Sequence, residues 1–295
     1  NLTLSGQVGD IVRWEKSTNN WSSKSNISNT TSSQTYNNLT TTTKYRAILK
    51  SGVCSNAISN DVTITVDSES LGGTLSSNAT VCSGENSGNL TLSDQIGDVV
   101  RWEKSTNNWI SKTNINNTLL SQGYTNLTAT TKYRAILQSG VCSSSSSNKL
   151  TITVDAISVG GAISSSTTTV CSGENSGTLS LSGQTGDIVR WEKSTNNWVS
   201  KTNINNTSPS QDYTNLTATT KYRAILQSGV CSSSSSNEVT ITVDAVSIGG
   251  TISSSATTVC SGENSGTLSL SGQTGDVVRW EKSTNNWVSK TNINN

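Results

Sequence analysis

The stretch RWEKSTNNW at residues 13–21 recurs letter for letter at 101–109, 190–198 and 279–287. Its leading tryptophans, Trp14, Trp102, Trp191 and Trp280, lie 88, 89 and 89 positions apart. So regular a recurrence marks a tandem array, and its period is too long for a helical solenoid or a propeller blade. It suits a small all-β domain that holds its own core. The expected boundaries are complete repeats at 68–155 and 156–244, flanked by repeats shortened at one end, 1–67 and 245–295. Asn1 aligns with Asn89 and Asn295 with Asn206, so the chain reads as a window on a longer array.

Around the second copy, NLTLSD alternates with period two and places Leu90 and Leu92 inward. DVVRWEKS follows as a second strand, with Val100 and Trp102 expected on one face and Val99, Arg101 and Glu103 on the other. The residues TNN, 106–108, tolerate left-handed backbone and predict a hairpin turn into WISKTNIN. The indoles of Trp14, Trp102, Trp191 and Trp280 are the expected core plugs, each able to touch both sheets of a small sandwich. Further on, Leu127, Thr131 and Tyr133 form Leu-x-x-x-Thr-x-Tyr ahead of an alternating strand. The pattern is that of the tyrosine corner of fibronectin type III and immunoglobulin-like sandwiches, and it assigns Tyr45, Tyr133 and Tyr222 to the core, with hydroxyls bonded back to nearby backbone. KLTITVD closes the repeat with Leu150, Ile152 and Val154 inward, giving six or seven strands.

Composition narrows the function. Lysines and arginines number 20 against 19 acidic residues, which favours neither nucleic acid nor an anionic membrane surface. There is no His, Met or Phe and a single Pro. No nucleophile-and-base pair or unrepeated carboxylate pair stands out, so no enzyme and no cofactor is expected. No apolar run reaches the ~20 residues of a membrane helix. The apolar share of 31% predicts thin cores. Six cysteines in register suggest disulfide staples and an oxidising, extracellular setting.

Two cysteine pairings compete. Bonds within repeats join Cys82 to Cys142 and Cys171 to Cys231, each closing a loop whose chain entropy contributes roughly 4 kcal/mol. Bonds across junctions join Cys54 to Cys82, Cys142 to Cys171 and Cys231 to Cys260. The first is preferred because small secreted domains usually carry their own staples. No CxxC pair or His supports a metal site, and the linkers DSES, DAIS and DAVS offer few carboxylates for calcium near Asp155 or Asp244.

At VCSGENSGTLSLSG, VRWEKS, NLTATTKYRAILQSGVC and VTITVD the chain resembles the Ig-like repeats of large secreted surface proteins of Bacteroidetes, among them repetitive adhesins of gliding bacteria. The resemblance covers essentially the whole chain. It implies a tandem array of β-sandwiches forming an extended rod, exported by the type IX system and displayed outside the outer membrane. It brings no catalytic residues. The function it implies is a stalk supporting surface adhesion, with gliding motility a further role, and neighbouring repeats as the first partners. The alternative is a multivalent module binding surface polysaccharide or other cell-surface proteins, using the second tryptophan of each hairpin, Trp21, Trp109, Trp198 or Trp287, as a stacking platform. Arg101, Glu103 and Arg134 are expected to face solvent as a cross-strand charge ladder worth ~0–1 kcal/mol. The triplets Asn38-Leu-Thr, Asn126-Leu-Thr and Asn215-Leu-Thr would accept glycans only in a eukaryotic secretory pathway.

Overall fold

Alternating apolar residues and abundant Thr leave each repeat one way to bury its thin core, which is to press the inner faces of two sheets together. A computed structural model describes residues 1–76 and 78–293, and all regular structure among them is β. The chain divides into two compact units, Asn1–Val154 and Asp155–Asn295. Among the described residues there is no helix long and apolar enough to cross a membrane.

In the first unit the second repeat runs through nine strand segments: β1 (Thr74–Ser76), β2 (Ala79–Cys82), β3 (Ser87–Ser93), β4 (Asp98–Ser105), β5 (Thr113–Ile115), β6 (Ser121–Thr125), β7 (Thr131–Gln138), β8 (Ser145–Ser146) and β9 (Leu150–Asp155). One sheet has the order β6-β3-β1, and the other β5-β4-β7-β9-β2 with β8 on the free part of β7. The first long segment thus leaves one sheet and joins the other. This is an immunoglobulin-like β-sandwich. The extra segments beyond the expected six or seven arise where that strand breaks in two and where short pieces pair at the edges.

Leu75, Leu90, Leu92, Val99, Trp102, Tyr124, Tyr133, Ala135, Leu137, Leu150 and Ile152 form the core between these sheets. Strand β4 departs from simple alternation. Val99 pairs with Leu137 and Arg101 with Ile136, so Val100 is the extra residue of a β-bulge. The bulge turns Val99 inward beside Trp102 and leaves Val100 exposed, which reverses the faces expected for the two valines. The same bulge recurs between Ile11 and Arg13 and between Ile188 and Arg190.

In the second unit the third repeat repeats both sheets, and its last strand, Val239–Asp244, runs parallel to Thr169–Cys171 with Cys171 opposite Asp244. Residues 245–293 form two two-stranded pairings, Thr251–Ser254 with Leu268–Ser271 and Trp280–Lys282 with Thr291–Ile293, and a single bridge between Ile248 and Thr274.

Candidate functional site

The repeated hairpin begins in the core. Trp14, Trp102 and Trp191 are buried, and each indole N–H donates to a backbone carbonyl 3.0 Å away, on Thr31, Leu119 and Ser208. Each apolar ring is thus removed from water with its one polar atom satisfied. Trp280 is half-buried. Tyr45, Tyr133 and Tyr222 are buried and tilt against Tyr36, Tyr124 and Tyr213, with ring centroids 6.2, 6.5 and 6.3 Å apart. Among the described residues their hydroxyls make no hydrogen bond, so the expected tyrosine-corner bond is not formed. Burial raises all three hydroxyl pKa values, that of Tyr222 to about 12.

Directly after the core tryptophan comes a carboxylate. Glu103 was expected at the surface and is instead completely buried, with a cation on every side. Arg101 donates to Oε1 through Nε and Nη2 at 3.0 and 2.8 Å, Lys112 donates to the same oxygen at 2.6 Å, and Arg134 donates from Nε to Oε2 at 2.8 Å. Glu15 and Glu192 are held likewise by Arg13, Lys24 and Arg46, and by Arg190, Lys201 and Arg223. Desolvation alone would raise these carboxyl pKa values. The hydrogen bonds from Lys and Arg outweigh it, and each carboxyl is held at about 2. The lysine of each cluster has one signal in the sequence, its spacing: Lys24, Lys112, Lys201 and Lys290 stand nine residues after each glutamate.

The hairpin loop is longer than expected, running from 106 to 112. Ser105 Oγ accepts from the Trp109 N–H at 2.9 Å, and Asn107 brackets Ser111 through both its amide atoms at 3.0 and 2.7 Å. This bracing holds two successive residues left-handed, Asn108 at φ 56° and Trp109 at φ 70°. Asparagine tolerates that conformation, whereas tryptophan adopts it at a cost. Trp21, Trp198 and Trp287 share it, at φ 70°, 66° and 67°. The strained backbone carries the indole back over the ion cluster, where the Arg134 guanidinium lies 4.6 Å from the ring centroid of Trp109. Arg46 and Arg223 lie 3.9 and 4.2 Å from Trp21 and Trp198. One ring face is therefore occupied by a cation–π contact, and the half-buried indole helps cover the glutamate. The edge differs between repeats: the Trp21 indole donates to Asp61 at 3.2 Å, whereas the buried Trp109 N–H finds no acceptor among the described residues, the counterpart of Asp61 being Lys149.

The cysteines overturn both expected pairings. Cys82 and Cys231 are disulfide-bonded, while Cys54, Cys142, Cys171 and Cys260 are free thiols. Bonds between Cys82 and Cys142 or Cys171 and Cys231 fail on geometry. In the third repeat Cys171 is level with Asp244, three residues beyond Ile241, which pairs with Thr220, and Gln227 lies seven residues the other way. At ~3.3 Å per residue the two ends are about 30 Å apart, against the ~7 Å between Cα atoms that a disulfide tolerates. Cys231 lies past Gln227, with its sulfur 3.7 Å from the Asp155 carbonyl and 3.1 Å from that of Ala156. Cys142 sits equivalently, 3.6 Å from the Asp67 carbonyl. The first and second cysteines of a repeat thus occupy opposite ends of its sandwich.

A family model described as a domain of unknown function, DUF8696, matches residues 1–68, 71–156, 159–245 and 248–295. The chain belongs to this family. Its DUF8696 repeats are also similar in fold to two solved structures. One is a mouse coronavirus receptor-binding domain complexed with its murine receptor, at TM-score 0.37 and 11% identity, covering 56% of this chain and 95% of that one. The other is a marsupial T cell receptor, at TM-score 0.39 and 12% identity, covering 60% and 76%. Likenesses this distant bear on neither ligand nor partner of the DUF8696 array. No curated protein matches the chain.

Proposed function

We propose that this chain is a section of the structural stalk of a large, repetitive bacterial cell-surface adhesin, lying outside the cell and supporting surface adhesion and gliding motility. It would have no catalytic role and would work without a cofactor. The observation that carries the reading is the use made of each unusual residue. The tryptophans, the glutamate and its cations are spent on internal contacts that recur from copy to copy. The strand-end residues Asp67 and Asp155 hold the turn of the repeat that follows. A stalk asks no more than that repeats fold, join and resist unfolding. Antibodies against the repeat should label intact, unpermeabilised cells of the organism that makes it, and labelling confined to lysed cells would end the proposal.

One observation favours a second reading. Tryptophan in the left-handed region in every copy is backbone strain of the kind that collects at functional sites. On that reading the loop at 106–112 and its counterparts present indoles to a polysaccharide or a surface protein, and repetition supplies avidity. Glycan-array binding that is strong and is lost in Trp109→Ala would promote it over the stalk. Silence on the array leaves the indole as cover for the ion cluster.

A further inference from the structure

A polar cleft of the same make opens in each of the two units. In the third repeat it has a volume of about 280 Å³ and lies between the hairpin loop at 195–201 and the turn at 214–218. In the first repeat its counterpart, of about 270 Å³, lies between residues 16–25 and 37–43. Neither is lined by an acidic or an aromatic side chain. Strand alternation sets Lys193 on the face of Trp191, opposite Tyr222 on one neighbour and Thr202 on the other. Its apolar stem therefore continues the core outward, and the half-buried lysine lines the cleft.

Both walls are braced from behind. The Asn175 side chain accepts from the Leu216 N–H at 2.9 Å and donates to the Leu216 carbonyl at 2.8 Å, beside Asn215 in the left-handed region at φ 53°. Across the cleft Asn196 donates to the Ser200 hydroxyl at 2.7 Å and accepts from the Ser200 N–H at 2.9 Å. The polar groups facing inward are left open. Among the described residues, the side chains of Lys193, Thr195, Thr202, Asn215 and Thr217 make no hydrogen bond or ion pair. Neighbouring lysines are engaged, Lys201 with Glu192 and Lys221 with Glu238. In the first repeat Lys16, Thr18, Ser25, Asn38 and Thr40 stand in the same places and are equally unengaged. The second repeat carries Lys104, Thr106, Thr113, Asn126 and Thr128 at these positions.

We infer that the cleft binds one carboxylated sugar residue, a hexuronate unit of a polysaccharide. Lys193, its one unpaired cation with no acid to oppose it, takes the carboxylate. The three threonine hydroxyls and the Asn215 amide both donate and accept, which matches the mixed donors and acceptors of sugar hydroxyls. A phosphate would leave one of its charges unmatched, and no arginine lines the cleft to receive it in a fork. The volume is at the small end for a ligand site and suits a single ring. Copies spaced along the chain then add up on a polymer that carries a uronate at many positions. No tryptophan takes part, so the site is separate from the indoles of the hairpin loops.

The test is affinity electrophoresis of the full chain through gels that hold polygalacturonate, alginate or neutral dextran. Retardation is expected in a uronate gel and not in dextran. Lys16→Gln, Lys104→Gln and Lys193→Gln together should weaken it about tenfold, as loss of a charge-assisted contact implies. Asn38→Gly, Asn126→Gly and Asn215→Gly together should weaken it about fivefold, the effect of one neutral hydrogen bond. That second set leaves the net charge unchanged, and glycine accepts the left-handed backbone. Thermal melts check that each set folds, and Thr40→Val, Thr128→Val and Thr217→Val stand in for a set that does not. Free migration in both uronate gels overturns the site. So does retardation of the asparagine set equal to that of wild type, since plain charge attraction would then explain the binding. Surface labelling and the Trp109→Ala array would be unaffected by either result, so the ideas fail separately.

Discussion

The third repeat and the segment after it carry the same nine letters, RWEKSTNNW, and the same hairpin pairing, Trp191 with Ile204 and Trp280 with Ile293. Their burial differs sharply. Leu179 and Ile163 are 0% and 6% exposed in the third repeat, while their counterparts Leu268 and Ile252 are 54% and 59% exposed. Glu192 is sealed, whereas the Glu281 side chain keeps 23% of its surface and is paired with two cations, Arg279 and Lys290. Trp287, without an arginine stacked on it, is 63% exposed. The hairpin therefore forms from local pairing and turn chemistry, and it becomes a core only when the strand Thr220–Gln227 lies beside it. Hairpin geometry is a local property here, and burial is not.

That contrast can be broken most directly at the core indole. Trp191→Ala should cost the third repeat about 4 kcal/mol, within the usual range for emptying a tryptophan site. In the chain of residues 1–295, where the Trp280 ring is half-buried, Trp280→Ala should cost far less. Hydrogen exchange resolved by repeat measures both, and equal losses would mean that enclosure does not set the value of the indole.

A smaller effect is expected at the carboxylate. Glu192→Gln leaves three cations facing a neutral amide and should cost about 3 kcal/mol, while Glu281→Gln should leave the fold nearly unchanged. The pH dependence has a definite sign. The Glu192 pKa is about 2 in the folded chain and ~4.3 when unfolded, so its contribution is fully present above ~4.3 and is lost as pH falls towards 2. Chemical denaturation of wild type and variant between pH 2 and 6 should show their difference shrinking over that window. A difference that holds constant would remove the charge from the explanation.

The smallest effect sharpens the comparison inside the first unit. Lys149→Asp restores the residue that accepts the Trp21 indole in the first repeat and gives the buried Trp109 N–H a partner. A gain of about 1 kcal/mol is expected from thermal melting. Destabilisation would mean that the Lys149 ammonium, 5.5 Å from the ring centroid, matters more than the missing hydrogen bond.

Much of this molecule was legible before any coordinates. Period-two runs such as NLTLS and LTITVD mark strands, because side chains alternate across a sheet and a half-buried strand must alternate with them. Repetition marked the domains, and a large ring in mid-strand marked the core. The misreadings fell where one extra residue or one distant partner decides the outcome. The bulge at Val100 is a register difference between two strands, visible only when both are paired. Glu103 looked like a surface charge because two of its cations are distant in sequence or loop-borne, and nothing local announces their convergence. The spacing of the cysteines was equally silent, since 60 residues of sandwich can return a chain to its starting end or leave it at the other.

The array, its period, the β class and the indole plug follow from the order of the letters, because alternation and repetition are local constraints that each segment obeys alone. Which carboxylate is sealed and which thiols are bonded emerge only on folding. Those properties depend on distances between residues far apart along the chain, and such distances are set when sheets pack and repeats meet.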